Sequence, residues 1–460
     1  MSSSATLPQS VAQQVKLWAD MVIPYLCPVE KSGSVIGADG GVIHISQNDI
    51  PIGGRCRILT NDGDLHGEVV GFGAQSTLVM ADRSLNGLRR GDRVIPATGT
   101  VNIEVGDTLL GRVIDAYGHP LDDRGPLQGS ASVETWPIEG IPINPMERDR
   151  LTVPLDIGVR AINGIATLGR GMRTGLFAGS GVGKSTLLGM MARNASVDCV
   201  VLAMIGERGR EVREFIEDHL GPALVRSVVV VSAADSPPLA RVLGAHRAAS
   251  IAESFRAKGR HVLFLVDSLT RLAMAGREIG LSVGEPAAMR GYPPSVFSRI
   301  AGFVERAGNG SKGQGSITGL YTVLVEGDDH VADPVADTAR SVLDGHIVLS
   351  RRMSESGIYP PIDLSVSLSR PMPSLVSQEH NDAARRFRLL WARLIDKREL
   401  VDIGAYAPGR DPVLDEALRR MPAMESFLRQ ESNERVSLDN AIAGLIRAIG
   451  GQTTTDQQTN

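Results

Sequence analysis

The order of hydrophobic and polar residues changes twice along the chain. From residue 26 to 97, short apolar runs alternate with turn residues, among them Asp62-Gly63 and Asn86-Gly87. Strand-like runs that recur every eight to twelve residues, roughly, and are separated by such turns predict a small β-barrel. From about 98 to 370 the apolar runs become nearly continuous and alternate with helix-like segments. They read GLFAG, CVVLAMIG, SVVVVSA, HVLFLVD and SITGLYTVLVE. Such strands are typical of a parallel sheet covered on both faces, so we predict an α/β core.

Segments with helical periodicity follow after Arg370, namely ARRFRLLWARLIDKRELV, DEALRRMPAMESFLRQ and SLDNAIAGLIRAIG. They predict a helical C-terminal domain that closes in a polar tail. Before the barrel, the segment VAQQVKLWADMVIPYL has a weak amphipathic pattern. It is either a helix that docks on a partner or a membrane surface, or a terminal helix that packs locally. The predicted division is an N-terminal extension, 1–25, a β-barrel, 26–97, an α/β core, 98–370, and a helical domain, 371–460.

Composition excludes some classes of protein. The 48 Lys and Arg residues against 52 Asp and Glu give a net charge of −4, which argues against wrapping of nucleic acid through bulk charge but leaves a local basic groove open. The three cysteines lie far apart and have no metal-ligand spacing. No apolar run approaches the length of a membrane span, and the N-terminus lacks the features of a secretory signal. We therefore expect a soluble cytoplasmic chain.

A glycine-rich loop in LFAGSGVGKSTLLGMM is the strongest chemical signal. It follows a predicted strand and opens a predicted helix, so backbone N–H groups and the helix N-terminus face a common anion. In this arrangement Lys184 reaches the β- and γ-phosphates of a nucleotide, and Ser185 is a ligand of Mg²⁺. Ala178 stands where the motif usually has its first glycine, and the alternative is a glycine-rich turn without a ligand. The predicted nucleotide-binding residues are Gly179, Ser180, Gly181, Val182, Gly183, Lys184, Ser185 and Thr186.

Two carboxylates follow apolar strands further along the chain. Asp267 ends HVLFLVD, where it can hold a Mg²⁺-bound water, and Glu207 follows CVVLAMI, where it can polarise an attacking water. Asp267 could also serve as the cap of the next helix, which is compatible with the first role. The charged residues after Glu207, such as Arg213 and Glu214, favour a solvated helix face.

These residues resemble the rotary hexameric ATPase superfamily, which includes the catalytic β subunit of the proton-driven ATP synthase. The likeness is closer to the type III protein-export ATPases, which commonly carry AGSGVGKS at the phosphate loop. It covers nearly the whole chain after residue 30, in stretches such as PLDIGVRAINGIATLGRGMRTGLFAGSGVGKSTLLGMMAR, GERGREVREF, DSLTRLAMAGREIGLSVGEP, RGYPPSVFSRI, EGDDHVADPVADTARSVLDGHIVLSRRM, YPPIDLSVSLSR and LVDIGAYAPGRDPVLDEAL. The resemblance implies a RecA-like P-loop core between a small β-barrel and a helical C-terminal domain.

The resemblance also implies residue roles in ATP hydrolysis. Lys184 is the phosphate lysine, and Ser185 and Asp267 belong to the magnesium site. Glu207 acts as the base on the lytic water. Beside it, Arg208 positions the γ-phosphate. Arg271 is the partner near Asp267.

Three further residues are implied by the resemblance alone. Tyr359 stacks on adenine, with a packed tyrosine as the alternative, and Phe427 is a weaker candidate for the other side of the adenine slot, with a helix-core phenylalanine as the alternative. Arg370 is an arginine finger that acts in the neighbouring subunit's site, where a surface arginine would otherwise be expected. Asn163, Met172 and Pro371 depart from the residues usual in the family, and Pro371 could alter the approach of Arg370.

The function implied is ATP hydrolysis, with ATP and Mg²⁺ bound, by a homohexamer that energises protein export through a flagellar type III apparatus. The expected partners are further copies of the chain, a stator-like regulator, a stalk-like protein in the central pore, the export gate and chaperone–substrate complexes, with no specific nucleic acid. The loop REIGLSVGEPAAMRGYPP is expected to line the pore. The chain is expected at the inner face of the plasma membrane as a peripheral protein.

Alternatives remain at this point. GAY in IGAYAPGRDP favours the flagellar group over a virulence-associated injectisome ATPase, which would have the same chemistry. A non-catalytic nucleotide-binding ring subunit is disfavoured by Glu207, which such subunits typically lack. A hexameric nucleic-acid translocase is disfavoured because the barrel region lacks interleaved aromatic and basic residues.

Overall fold

The computed structural model describes residues 32–46, 49–97, 102–127, 134–325 and 333–451, together with Lys16. The chain divides into two compact units between Gly99 and Thr100. The N-terminal segment, predicted as either a docking helix or a locally packed terminal helix, lies outside the described residues apart from Lys16, and so does most of the polar C-terminal tail.

The first unit contains a closed barrel. In its described residues six strands pair antiparallel in the order β1-β2-β5-β4-β3-β6, which confirms the predicted barrel. Alternate side chains point inward and form an apolar core that includes Val35, Ile43, Ile58 and Val79. The strands are β1 (Gly33–Asp39), β2 (Val42–Ile45), β3 (Arg55–Thr60), β4 (Gly63–Phe72), β5 (Thr77–Ala81) and β6 (Arg93–Pro96).

The second unit is built on a sheet of mostly parallel strands. Its order is β19-β18-β12-β17-β15-β13-β14-β8, with β19 antiparallel to β18 and β16 antiparallel to β17. Small two-stranded pairs, β7 with β9 and β10 with β11, lie outside it. The strands are β7 (Asn102–Val105), β8 (Val113–Asp115), β9 (Glu134–Pro137), β10 (Pro154–Leu155), β11 (Leu168–Gly169), β12 (Arg173–Ala178), β13 (Cys199–Ile205), β14 (Ser227–Ser232), β15 (His261–Asp267), β16 (Gly308–Asn309), β17 (Ser316–Leu324), β18 (Gly345–Val348) and β19 (Leu368–Ser369).

Both faces of the parallel sheet are covered. Every residue of β13 and β14 is buried, although successive side chains of a strand point to opposite faces. This burial explains why the predicted strands are continuous apolar runs rather than alternating ones. Each apolar run singled out in the sequence is a strand of this sheet, namely β12, β13, β14, β15 and β17.

Most helices of the second unit connect these strands, and the last four follow the final strand. They are α1 (Arg160–Ile165), α2 (Lys184–Asn194), α3 (Gly209–Glu214), α4 (Pro238–Ala257), α5 (Leu269–Ser282), α6 (Pro294–Glu305), α7 (Pro334–Val342), α8 (Arg351–Glu355), α9 (Met372–Leu375), α10 (Gln378–Asp402), α11 (Pro412–Leu428) and α12 (Leu438–Ala448). Shorter helical turns are a π-helix at Phe215–Leu220 and 3-10 turns at Asp107–Leu109, Gly221–Arg226 and Met289–Gly291.

The C-terminal helices α10, α11 and α12 confirm the three helix-period segments. They share one apolar core with the sheet unit, in which Ile162 of α1, Phe387, Phe427 and Leu445 are all buried. The helices and the sheet therefore form one compact unit, and the division at 370/371 stays a prediction. None of the described helices is both long enough and apolar enough to cross a lipid bilayer.

Candidate active site

The glycine-rich loop connects β12 to α2 at the carboxyl end of the sheet. Gly181 and Gly183 have φ angles of 76° and 91°, in the left-handed region that favours glycine. Gly183 caps α2 without a side-chain hydrogen bond. The first N–H groups of α2 therefore face the loop without a capping side chain, which is the arrangement that binds an anion at a helix N-terminus.

Lys184, the first residue of α2, lies between the two predicted carboxylates. Its Nζ atom is 2.5 Å from Oδ1 of Asp267 and 3.4 Å from Oε1 of Glu207. Burial opposes the charged form of the ammonium group, but the two carboxylates outweigh that cost and raise the pKa of Lys184. The structure thus brings together three residues that lie 23 and 60 positions apart in the chain.

Asp267 ends β15, next to β17 in the sheet, and is almost completely buried. The Thr322 hydroxyl on β17 donates a hydrogen bond to its Oδ1 atom at 2.7 Å. The expected pairing of Arg271 with Asp267 is not among the ion pairs of the described residues, because Lys184 takes that place. Arg271 instead directs Nη1 toward Sδ of Met274 at 3.7 Å.

Glu207 follows β13 after Gly206, whose positive φ of 72° turns the chain at the strand end. The residue is 8% exposed. Burial raises the pKa of Glu207 to about 7, and the neighbouring Asp267 carboxylate adds to the rise while Lys184 opposes it. A carboxylate of this kind binds a proton more strongly than an ordinary glutamate, which suits a general base near neutral pH.

Ser185 and Asp267 are suitable donors for a hard divalent cation. Mg²⁺ prefers hydroxyl, carboxylate, phosphate and water oxygens, and in phosphate sites proteins usually supply only one or two ligands. Within the described residues, His, Cys, Asp and Glu side chains form no group of three or more that could hold a metal ion. The donor set therefore fits a Mg²⁺ ion shared with bound phosphates.

A cavity of about 440 Å³ lies beside the loop and the start of α2. Gly183, Thr186 and Met190 line one side, and Tyr359, Gln430 and Ser432 are among the residues that line the rest. The Tyr359 side chain is half-exposed, and its hydroxyl lies 2.9 Å from Oγ of Ser354. Gly183 ends the loop, Thr186 lies in the first turn of α2, and both line the cavity. A molecule with phosphates on the loop can therefore extend a flat ring to Tyr359.

Phe427, the second adenine candidate, lies elsewhere. It is 4% exposed in α11, and its ring centroid is 5.4 Å from that of Phe387 on α10. Phe427 does not line the cavity beside Tyr359. Its packing supports the alternative of a helix-core phenylalanine, because the apolar face of α11 turns it toward α10.

The two predicted arginines lie in different surroundings. Arg208 is largely exposed, and its Nη1 atom is 3.2 Å from Oε1 of Glu211. Arg370 follows β19 and donates hydrogen bonds from Nη1 and Nη2 to the carbonyl oxygens of Leu343 and Arg340, both at 3.1 Å. Neither side chain pairs with Glu207 or Asp267 in the described ion pairs.

Arg370 lies at the opposite end of the sheet from the loop. Ser369 pairs with Gly345, and Gly345 pairs with Thr174 near the start of β12. The loop begins only after Ala178, which places about 13 Å of strand between the two levels at roughly 3.3 Å per residue. Arg370 is therefore remote from the loop of its own chain.

The residues that depart from the family pattern lie away from the phosphate loop. Asn163 is fully buried, and its Nδ2 donates to Oδ1 of Asp156 at 2.7 Å while its Oδ1 accepts from the Ile157 backbone at 3.0 Å. Met172 is also buried, and Pro371 directly precedes α9. Asn163 and Met172 thus serve packing and local hydrogen bonding.

Thr322 and Gln430 are site residues that the sequence reasoning missed. Thr322 gives a weak signal, since it is a polar residue near the carboxyl end of the buried strand β17, which pairs with β15. Gln430 gives none, because it lies in the polar stretch after α11, where no periodicity indicates burial.

Comparison with known proteins gives matches over most of the chain. Residues 158–369 match the family model of the ATP synthase alpha/beta family, nucleotide-binding domain, and residues 376–447 match that of the T3SS EscN ATPase C-terminal domain. A relative named flagellum-specific ATP synthase, from Pseudomonas aeruginosa, is 50% identical over 87% of this chain and 89% of its own length. The solved structure of the assembled ATPase EscN from the enteropathogenic E. coli type III secretion system is 38% identical, with a TM-score of 0.84 over 91% of this chain and 100% of that one. The structure of assembled EscN in complex with its central stalk EscO matches over the same shares, with a TM-score of 0.82 and 38% identity.

Proposed function

Since the chain belongs to the ATP synthase alpha/beta family, in the group of flagellar and type III secretion ATPases, we propose that it hydrolyses ATP in a ring of identical copies and energises flagellar protein export. The observation that carries the proposal is the convergence of Lys184, Glu207 and Asp267 beside the glycine-rich loop. A phosphate-binding loop, a metal-side acid and a base are the parts that phosphoryl transfer to water requires.

The phosphates of ATP bind to the backbone N–H groups of residues 179–183 and to the N-terminus of α2. Lys184 leaves the two carboxylates and contacts the β- and γ-phosphates, to which it donates charge-assisted hydrogen bonds. Ser185 and Asp267 would hold Mg²⁺, which when bound neutralises phosphate charge. Thr322 keeps the Asp267 carboxylate directed to this position.

Glu207 takes a proton from the attacking water. Its pKa of about 7 means that much of the population is ionised at neutral pH, while the basicity exceeds that of an exposed glutamate. Arg208, which directly follows it and is exposed, is free to turn from Glu211 to the γ-phosphate when ATP is bound. Tyr359 stacks on the adenine ring in the cavity beside the loop.

Arg370 completes the site of a neighbouring copy. Its position at the start of the strands supports this role, since about 13 Å of strand separates it from the loop of its own chain. Arginine fingers of this kind accelerate phosphoryl transfer by about 10³- to 10⁵-fold. One chain therefore supplies both halves of the site, and a closed ring of identical copies, which we propose to be a hexamer, needs no second type of subunit.

The flagellar assignment is supported by the 50% identity to the flagellum-specific relative and by GAY at 404–406. The likeness to EscN keeps an injectisome ATPase as the second candidate. By analogy with the EscN–EscO complex, a stalk-like protein is a proposed partner, and we expect it to contact the predicted pore-lining segment, 277–294. A stator-like regulator, the export gate and chaperone–substrate complexes are the other proposed partners, with peripheral binding at the inner membrane face. The proposal keeps the division into a barrel, 26–97, a core that carries the catalytic residues, 98–370, and a C-terminal domain, 371–460.

The proposed activity is tested by the rate of ATP hydrolysis as a function of protein concentration, with and without Mg²⁺. We expect the activity per chain to rise with concentration as rings assemble, to require Mg²⁺ and to vanish in Lys184→Ala. Lys258→Ala, at the end of α4, is the matched control and should retain activity. Absence of Mg²⁺-dependent hydrolysis at every concentration would favour a non-catalytic ring subunit.

The choice between the two export systems is tested in cells. The gene is expressed in a motility-defective strain that lacks its flagellar export ATPase and, separately, in a strain that lacks its injectisome ATPase. Restored swimming without restored effector secretion supports the flagellar assignment, and the reverse result contradicts it.

A further inference from the structure

Gln430 is a buried amide whose hydrogen-bonding groups are all used next to the cavity at Tyr359. It is 5% exposed and lies two residues after the end of α11. Its backbone N–H donates to the carbonyl oxygen of Tyr359 at 2.8 Å. Its side-chain Oε1 accepts from the backbone N–H of Arg160 at 2.7 Å. Its Nε2 donates to the carbonyl oxygens of Gly158 and Glu434, each at 2.9 Å.

These bonds join three segments that are far apart in sequence. One is the start of α1 at 158–160, one is the turn that carries Tyr359, and one is the cavity wall at 430–434. A buried polar group satisfied on every side fixes the relative position of the segments it joins, because any displacement leaves a buried donor or acceptor without a partner.

The same wall is also attached to the phosphate-loop helix. Arg193, near the end of α2, donates from Nη2 to the carbonyl oxygen of Ser432 at 2.6 Å, and Asn194 donates from Nδ2 to that of Glu434 at 3.4 Å. Since α2 begins at Lys184, the wall is linked to the phosphate loop through α2 and to Tyr359 through Gln430. The two sides of the cavity are thus held at a set separation.

We propose that Gln430 is a positioning residue that sets the distance between Tyr359 and the opposite wall of the base cavity. This inference rests on the proposed binding of ATP at the site. Tyr359 is half-exposed, and its hydroxyl contacts only the nearby Ser354 in the hydrogen bonds of the described residues, so its backbone bond to Gln430 is its link to the wall. When the distance between Tyr359 and the opposite wall is fixed, the adenine base can contact both. Its contacts then strengthen the binding of ATP without any change at the phosphates.

Gln430 acts on the base and not on the phosphates. None of its hydrogen bonds in the described part of the chain reaches residues 179–186. A ligand that has phosphates but no base therefore separates a positioning role from a general structural one, and inorganic tripolyphosphate is such a ligand.

The test is Gln430→Glu in the full-length protein, with Mg-ATP and Mg-tripolyphosphate binding measured by calorimetry. The glutamate retains the acceptor for Arg160 but places a carboxylate oxygen against the carbonyl oxygens of Gly158 and Glu434. We expect the Kd for ATP to rise about tenfold, the equivalent of about one lost buried hydrogen bond, while the Kd for tripolyphosphate is unchanged. The kcat at saturating ATP should be retained, so that the defect appears in KM.

Gln378→Glu is the matched control, because Gln378 is exposed at the start of α10 and its side chain bonds to Asp382 alone among the described residues. Gln430→Met, which removes the side-chain hydrogen bonds without adding charge, should weaken ATP binding in the same selective way. Retained tripolyphosphate binding reports an intact phosphate loop in each variant.

The positioning role is contradicted if Gln430→Glu and Gln430→Met leave ATP affinity unchanged, or if they weaken ATP and tripolyphosphate equally. Loss of all binding in both variants also contradicts it, since the phosphate loop itself would then depend on Gln430. Wild-type protein that binds ATP no more tightly than tripolyphosphate would overturn the base site at Tyr359 as well. Wild-type preference for ATP that survives in the variants would overturn only the role of Gln430.

Discussion

The replacement Glu207→Gln removes the predicted base while preserving the shape of the site. The amide has nearly the volume of the carboxyl group, and Lys184 keeps its 2.5 Å contact with Asp267. ATP binding should therefore survive. Turnover should fall by about 10²- to 10⁴-fold, the usual contribution of a general base.

The same replacement has an effect on stability that follows from the pKa of Glu207. Burial raises that pKa from its ordinary value of 4.5 to about 7. The difference corresponds to about 3 kcal/mol between the two protonation states. Because the pKa is higher in the folded state, the protonated form contributes stability that is fully present below pH 4.5 and is lost as the pH rises through 7. The glutamine cannot ionise, so it should not show this loss.

Two assays on Glu207→Gln separate the chemistry from the stability. Chemical unfolding at pH 4 and pH 8 should show that the variant gains up to about 3 kcal/mol over the wild type at the higher pH only. Steady-state hydrolysis and ATP binding at pH 8 should show lost turnover with retained affinity. The wild-type rate itself should rise with pH through about 7 as Glu207 ionises.

Glu214→Gln is the matched control, because its side chain is half-exposed on α3 and pairs only with Arg210 in the described ion pairs. It should match the wild type in rate and in the pH dependence of unfolding. Hydrolysis by Glu207→Gln at the wild-type rate would refute its role as the base. An equal stability difference from wild type at both pH values would refute the assignment of the raised pKa.

Three further predictions concern other parts of the chain. Arg370→Ala should lower turnover by about 10³-fold or more while the dilute chain binds ATP with unchanged affinity, and a large loss of affinity in dilute protein would show that Arg370 acts within its own chain. Tyr359→Ala should raise the KM for ATP and leave the affinity for tripolyphosphate unchanged, measured by kinetics and calorimetry; equal losses for both would contradict the stacking role. Gly315→Ala should lower the free energy of unfolding by more than about 2 kcal/mol in chemical denaturation, because its new Cβ would lie 1.8 Å from the Arg260 carbonyl oxygen. Gly302→Ala, on the exposed side of α6 with open space around it, should raise the free energy of unfolding by about 0.5–1 kcal/mol. Similar effects of the two glycine changes would contradict the packing described at 315.

The architecture was predictable because the buried strands have a distinctive sequence pattern. Parallel strands covered on both faces must be apolar throughout, and β13, β14 and β15 appear in the sequence as uninterrupted runs. The carboxyl ends of such strands meet at one edge of the sheet, so the sequence alone places Glu207 and Asp267 near the loop. Their contacts with Lys184 agree with that placement.

The remaining features depend on which side chains meet across the fold. Phe427 has an aromatic ring that could stack on a base, but it lies on the apolar face of α11 and packs against Phe387. Arg271 lies only four residues after Asp267 in sequence, but the carboxylate of Asp267 pairs with Lys184 of α2 instead. Gln430 has no hydrophobic pattern to indicate burial, because its environment is made by backbone N–H and carbonyl groups at 158–160, 359 and 434. Periodicity reports burial on one element and carries no information about such partners.

The most direct test of catalysis shared between copies is to mix two inactive variants, Glu207→Gln and Arg370→Ala, and measure ATP hydrolysis. Each variant alone should be inactive. In mixed rings, a copy with an intact Glu207 can receive Arg370 from its neighbour, at about a quarter of the interfaces after random assembly of equal amounts. Recovery of activity on mixing is therefore expected. A mixture that remains as inactive as its components, although sizing shows that mixed rings form, would contradict the proposal that Arg370 completes the active site of the neighbouring copy.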